Sequence, residues 1–161
     1  MKPSALALLV AIASGPALAA EQPVAPYPQS DANAGAAPFK DDRVFQALHG
    51  KAGVARITAD LIERLKTDSR TSDIFRAADF ERLDRTLNEE FCYVAGGPCH
   101  YSGMDMKTAH KHMGLQEIHF NALVEDLEAA MTKEGVPWRV QARLLAKFAT
   151  MKPEVVDASR N

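Results

Sequence analysis

The sequence predicts an all-α protein, and two observations carry that expectation. Apolar residues recur at three- and four-residue steps through most of the chain beyond residue 41, and no stretch alternates with the period of two that a half-buried strand needs. Length and composition fit one such domain: at 161 residues, 47% hydrophobic and 25% charged, the chain can bury a single core. Its formal net charge is −2, with Lys and Arg interspersed among Asp and Glu. There is no basic stripe, so no nucleic acid is expected as a partner.

The first 20 residues differ in kind. Lys2 precedes an apolar run from Ala5 to Ala13, followed by Ser14-Gly15-Pro16 and the small-residue site Ala17-Leu18-Ala19. This is the pattern of a secretory signal peptide cut after Ala19 or Ala20, and the run is too short to span a bilayer as a helix. An uncleaved N-terminal anchor is the alternative. Cleavage predicts a periplasmic protein with no stable membrane insertion. Residues 21–40, with Pro23, Pro26, Pro28 and Pro38 among Ala, Ser, Asn and Gly, read as a Pro/Ala-rich flexible linker with too little apolar content to fold. The folded domain is expected over residues 41–156, with residues 157–161 as a tail.

Asp41-Asp42 precede a short helix over Arg43–His49, acidic residues at its positive end and Gly50 after it. From Ala52 to Lys66, Val54, Ile57, Leu61 and Leu65 form one helix face with Ile62 beside it. Ser69 to Phe75 is a short polar link. Phe80, Leu83, Leu87, Phe91 and Val94 then follow steps of three, four, four and three, one continuous stripe. That helix must end at Gly96-Gly97-Pro98, since glycine gives up backbone entropy and proline lacks an N–H. Further on, Phe120, Leu123, Val124, Leu127, Ala130 and Met131 form a series closed by Gly135, and Val136-Pro137 opens a last helix with Val140, Leu144, Phe148 and Met151 inward. Pro153 is expected to stop it.

The chemistry concentrates between Phe91 and Phe120, where His100, Tyr101, Met104, Met106, His110, His112 and Met113 crowd a short segment. His110 lies just before the next helix and faces back toward the apolar helix ending near Ala95, an arrangement in which one imidazole can hold a haem iron. His110 and His112 are two apart and cannot share a metal from one helix. A zinc site would recruit Cys92, Cys99, His100 and His110, but C-x6-C-H is not a structural zinc spacing. The C-x-x-C-H of covalent haem attachment is absent.

Here the chain resembles the group I truncated haemoglobins. The resemblance rests on G-G-P-x-x-Y-x-G-x-x-M-x-x-x-H, from Gly96 through Tyr101, Gly103 and Met106 to His110, with Phe75, Phe120 and Gly135-Val136-Pro137 at fitting intervals, and it covers about Val44 to Val156. It implies a two-over-two helical sandwich around non-covalent haem b, with His110 as iron ligand and Phe75, Leu83, Leu87, Phe91, Tyr101 and Met106 around the ring. The implied ligands are the diatomic gases O2, CO and NO. A redox use of the same haem, NO dioxygenation or peroxide reduction, is the enzymatic rival and would call for a periplasmic electron donor, since no flavin or nicotinamide motif is present. A haem-free exported helical interaction domain is the rival from a third class.

The chain departs from the family in its distal pocket. Members commonly hold bound oxygen with tyrosine and glutamine side chains, but aligned on D-L-I-E-R and F-E-R-L-D-R-T-L these positions are Ile62, Leu83 and Leu87. None can donate a hydrogen bond, so an apolar pocket with weak oxygen binding is expected. Cys92 and Cys99, the only cysteines, flank the glycine turn. In an exported chain they are expected to form a disulfide if the turn brings their Cα atoms within the ~4.4–6.8 Å such a bond requires; two free thiols are the alternative.

Overall fold

The computed structural model describes residues 20–157. The expected signal peptide, apart from Ala20, and residues 158–161 lie outside that range. Among the described residues every regular element is helical: α1 (Arg43–Ala47), α2 (Gly50–Thr67), α3 (Ser72–Phe75), α4 (Phe80–Val94), α5 (Met106–Ala109), α6 (Glu117–Lys133) and α7 (Trp138–Ala149). The period-3.6 pattern becomes packing directly. Val54, Ile57, Leu61 and Leu65 form the buried face of α2, which packs on both α4 and α6, while α6 packs on α7. Each leucine so removed from water contributes about 1.5–3 kcal/mol. The result is a two-over-two helical sandwich.

Local chemistry sets the limits of α4, the helix that faces the site. Asp79 caps its start, accepting a hydrogen bond from the Arg82 N–H at 3.1 Å. Its end is fixed by the two glycines. Gly96 takes φ 84°, and a Cβ there would meet the Asp41 carbonyl oxygen at 2.3 Å, so only glycine permits this close approach. Gly97 donates its N–H back to the Cys92 carbonyl at 2.8 Å. The tight turn leaves Cys92 and Cys99 with Cα atoms 5.8 Å apart and joined as a disulfide.

Residues 21–40 depart from the expected flexible linker. They form an ordered strap across the helices, with a 3-10 turn at Asp31–Ala34 in which Ala34 is fully buried. Phe39 donates its N–H to the Val94 carbonyl at 3.0 Å, and its ring lies under Arg143 and Lys147 at 4.9 and 5.1 Å. Tyr27 donates its hydroxyl to the Ser102 carbonyl at 2.9 Å, and Glu21 accepts from Arg85. The reason for the discrepancy is physical: composition counts the apolar content of the segment itself, whereas its order comes from partners on α4, α7 and the loop after Gly97.

Two smaller differences concern turns. The link before Phe75 holds the one-turn helix α3, and although α7 ends at Ala149, before Pro153 as expected, a separate π-helical turn follows over Pro153–Asp157. That turn buries Val156 and brings Val155 to the cavity described next.

Candidate functional site

Between the link with α3, α4, α5 and the start of α6 lies a cavity of about 400 Å³, within the ~300–1,000 Å³ range of cofactor and small-molecule sites. Each wall follows from its local sequence. The α3 wall gives Ile74 and Phe75, anchored by Thr71, whose buried hydroxyl donates to the Leu65 carbonyl at 3.0 Å. Helix α4 gives Arg82, Leu83, Thr86, Leu87 and Glu90, spaced by threes and fours on one face. The opposite end is closed by Tyr101, Met106, Ala109, His110, Met113 and Leu115, and α6 adds His119, Phe120 and Leu123. Most of this lining is apolar.

Of the residues expected around a ring, Phe75, Leu83, Leu87, Tyr101, Met106 and His110 line the cavity together. Phe91 does not. A helix turns about 100° per residue, so Glu90 takes the cavity side and Phe91 points into the core, its ring 4.8 Å from that of Phe148. Ile62 is likewise absent from the wall. It is buried in the core at 5% exposure, and α2 reaches the cavity through Leu65 instead.

His110 is held by a short chain of local contacts. Asp105 caps α5, accepting from the Thr108 N–H at 2.9 Å, and the Nδ1 of His110 lies 2.8 Å from the Met106 carbonyl oxygen. A carbonyl only accepts, so Nδ1 carries the proton and Nε2 the lone pair. Burial moves the pKa of His110 below its ordinary value, against the opposing pull of the Met106 hydrogen bond, and keeps the ring neutral. This is the state in which an imidazole ligates a metal.

The other histidines are engaged differently. His119 lines the cavity, but its Nδ1 accepts from the Gln116 N–H at 3.0 Å in a reciprocal cap, which leaves the proton on Nε2. His100 is exposed and paired with Asp31 at 2.9 Å, and His49 pairs with Glu134 at 3.1 Å. His112 is exposed, at φ 65°. Among the described residues no cluster of three or more His, Cys, Asp or Glu could hold a metal ion.

Among the wall residues that the sequence did not mark out, Glu90 is the buried acid. Glu90 is 8% exposed, and burial alone raises its carboxyl to about 8. The signal was present as spacing, since position 90 stands seven after Leu83 and three after Leu87. The apolar stripe instead drew the assignment to Phe91, which satisfies the same periodicity. At the mouth, Asp79 and Arg82 meet the strap: Gln22 donates its N–H to Asp79 at 2.6 Å, and Arg82 donates to the Gln22 carbonyl.

The sequence profile of the bacterial-like globin family matches residues 43–157. The chain belongs to that family. Within it, the chain is 32% identical over 97 residues to the group 1 truncated hemoglobin of Tetrahymena thermophila, covering 60% of this chain and 80% of the relative. It is 27% identical over 112 residues to that of Mycolicibacterium paratuberculosis, covering 70% and 82%. The crystal structure of truncated hemoglobin from Tetrahymena pyriformis in its Fe(III) form superposes with a TM-score of 0.68 at 25% identity, covering 70% of this chain and 97% of that one. The chain is therefore a group 1 truncated haemoglobin with the two-over-two globin fold, and the globin family implies a haem cofactor. The cavity fits such a group: it is a slot of cofactor size, flanked by flat and branched apolar side chains, with one neutral histidine whose Nε2 lone pair is unused.

Proposed function

We propose that this chain binds haem b non-covalently in the cavity between α3, α4, α5 and α6, with His110 as the iron ligand, and that it takes up O2, CO and NO. The observation that carries the reading is His110 itself, a cavity-lining neutral imidazole whose Nδ1–H is fixed by the Met106 carbonyl at 2.8 Å. That hydrogen bond orients the ring and raises the basicity of Nε2. Haem supplies the iron centre at which diatomic gases bind. Phe75, Leu83, Leu87 and Met106 offer the apolar surface that excludes water from the ring. Tyr101 commits its hydroxyl to the Met104 carbonyl at 3.1 Å and serves as wall rather than ligand. The absence of C-x-x-C-H from the sequence favours non-covalent binding.

We further propose that the protein acts in the periplasm after removal of the leader at its N-terminus. The Cys92–Cys99 bond supports this, because disulfides persist in oxidising compartments. Titration of the haem-free mature protein with haemin, followed by the Soret band and then by O2 and CO addition to the reduced form, tests the functional reading. One haem per chain and reversible gas binding are expected. A protein that saturates with no haem, or whose haem binds neither gas, contradicts it.

A further inference from the structure

We infer that Glu90 is a neutral carboxylic acid that donates a hydrogen bond to small anionic ligands of weak acids, such as fluoride or azide, held in the cavity. The inference rests on the haem reading above, since ferric haem would hold the anion, and it adds the group that recognises it. Position 90 stands seven residues after Leu83 and three after Leu87, on the face of α4 that forms the cavity wall. Its neighbours on α4 are engaged elsewhere. Glu89 accepts from the Ser102 N–H at 2.9 Å and from its hydroxyl at 2.7 Å, and Arg85 pairs with Glu21. Glu90 is influenced by burial alone, with no cation or hydrogen-bond donor holding its carboxylate.

The groups around it leave this state undisturbed. Tyr101, also on the cavity wall, spends its hydroxyl proton on the Met104 carbonyl. His110 on α5 directs its Nδ1–H to the Met106 carbonyl, and His119 on α6 is bound in the Gln116 cap. Asp79 and Arg82, nearer the mouth, are tied to each other and to the strap. From α2 comes only the aliphatic Leu65. A buried O–H without a protein acceptor is costly, and the cavity is where Glu90 can find one. Glu90 thus places a donor on a wall where Leu83 and Leu87 provide none. Once ionised, it would repel the same anions.

Two measurements on wild type, Glu90→Gln and Glu90→Leu test this. In the haem-free protein, infrared difference spectra between wild type and Glu90→Gln should show a protonated-carboxyl band at neutral pH that vanishes as pH rises past about 8. In the ferric haem-loaded protein, fluoride affinity should fall about tenfold in Glu90→Leu, the size of a hydrogen bond to a charged group. Glu90→Gln should retain much of the affinity and lose the wild-type decline around pH 8 that exceeds hydroxide competition. Absence of the infrared band, or equal fluoride affinity in wild type and Glu90→Leu, overturns the inference. Failure of the haem reading is seen separately, as a missing Soret band in all three proteins; that outcome overturns the ligand role while the infrared band still reports the buried acid.

Discussion

Asp31 accepts a hydrogen bond from the backbone N–H of Tyr101 at 2.8 Å, so a strap residue holds the cavity wall from outside. The same carboxylate reaches His100 Nδ1 at 2.9 Å, and these contacts hold the Asp31 pKa below its ordinary value, His100 first and the Tyr101 N–H second. Asn33 adds a hydrogen bond to the Gly103 carbonyl at 3.1 Å. The loop from Cys99 to Met104, which leads to His110, is thereby fixed at both of its faces, by Glu89 on α4 and by the strap.

Removing that support should loosen the site. Asp31→Ala is expected to lower the thermal midpoint by a few degrees, and deletion of residues 21–40 by more. Haem should be lost faster from both, and faster from the deletion than from Asp31→Ala. Because the folded pKa of Asp31 is depressed, its contribution is present above its ordinary value of 3.8 and disappears as pH falls through the folded value. Thermal melts of wild type and Asp31→Ala across this acid range should converge. A deletion variant as stable as wild type would show that the strap is a passive tether.

The disulfide should matter to the same loop. Reduction, or Cys99→Ser, is expected to cost about 2–3 kcal/mol by the loop-entropy argument for so short a closure. Urea unfolding with and without reductant measures it. Thiol titration of the unfolded, unreduced protein should find no reactive group, and two reactive groups would contradict the bond.

The placement of Phe91 and Ile62 in the core rather than on the cavity has opposite consequences from those of Leu87. Phe91→Ala should destabilise by about 3–5 kcal/mol through its contact with Phe148. Ile62→Tyr should cost about 1–3 kcal/mol by overpacking and leave oxygen release unchanged. Leu87→Gln, which sets an amide on the wall, should slow oxygen release several-fold, as a hydrogen bond of about 0.5–1.5 kcal/mol predicts. Chemical denaturation and stopped-flow oxygen dissociation separate the cases. Slowed release in Ile62→Tyr with unchanged stability would return Ile62 to the cavity.

Glu90 gives the haem-free protein a pH dependence of opposite sign to that of Asp31. Its carboxyl has an ordinary value of 4.5 and about 8 in the fold. Between these values the unfolded chain is ionised and the folded chain is not, so stability present below pH 4.5 is lost as pH rises through about 8. His110, with its lowered pKa, works in the other direction, and Asp126, raised by burial, in the same one. The difference between wild type and Glu90→Gln isolates the Glu90 part. Parallel curves across that window would rule out a buried neutral acid.

The helices were legible because their packing faces are written in local periodicity. The steps from Phe80 to Val94 mark α4, and the glycine turn marks its end. What periodicity leaves open is the choice between adjacent residues. Positions 90 and 91 both continue the stripe from Leu87, and hydrophobicity favours Phe91, yet the rotation of α4 against Phe148 puts Glu90 on the cavity. The strap was illegible for a different reason: Asp31, Asn33, Ala37 and Phe39 are ordered by partners about 55 to 110 positions away, and pairing at that distance leaves no mark in a segment's own composition.

The proposed ligand of the haem iron is His110, through Nε2. It is tested most directly by the visible spectrum of His110→Gly loaded with haem, with and without added imidazole, beside wild type and His119→Ala. A weakened and shifted Soret band is expected in His110→Gly, with recovery when imidazole fills the vacated position, and a wild-type spectrum in His119→Ala. A His110→Gly spectrum identical to wild type, or a loss of the band in His119→Ala alone, would contradict it.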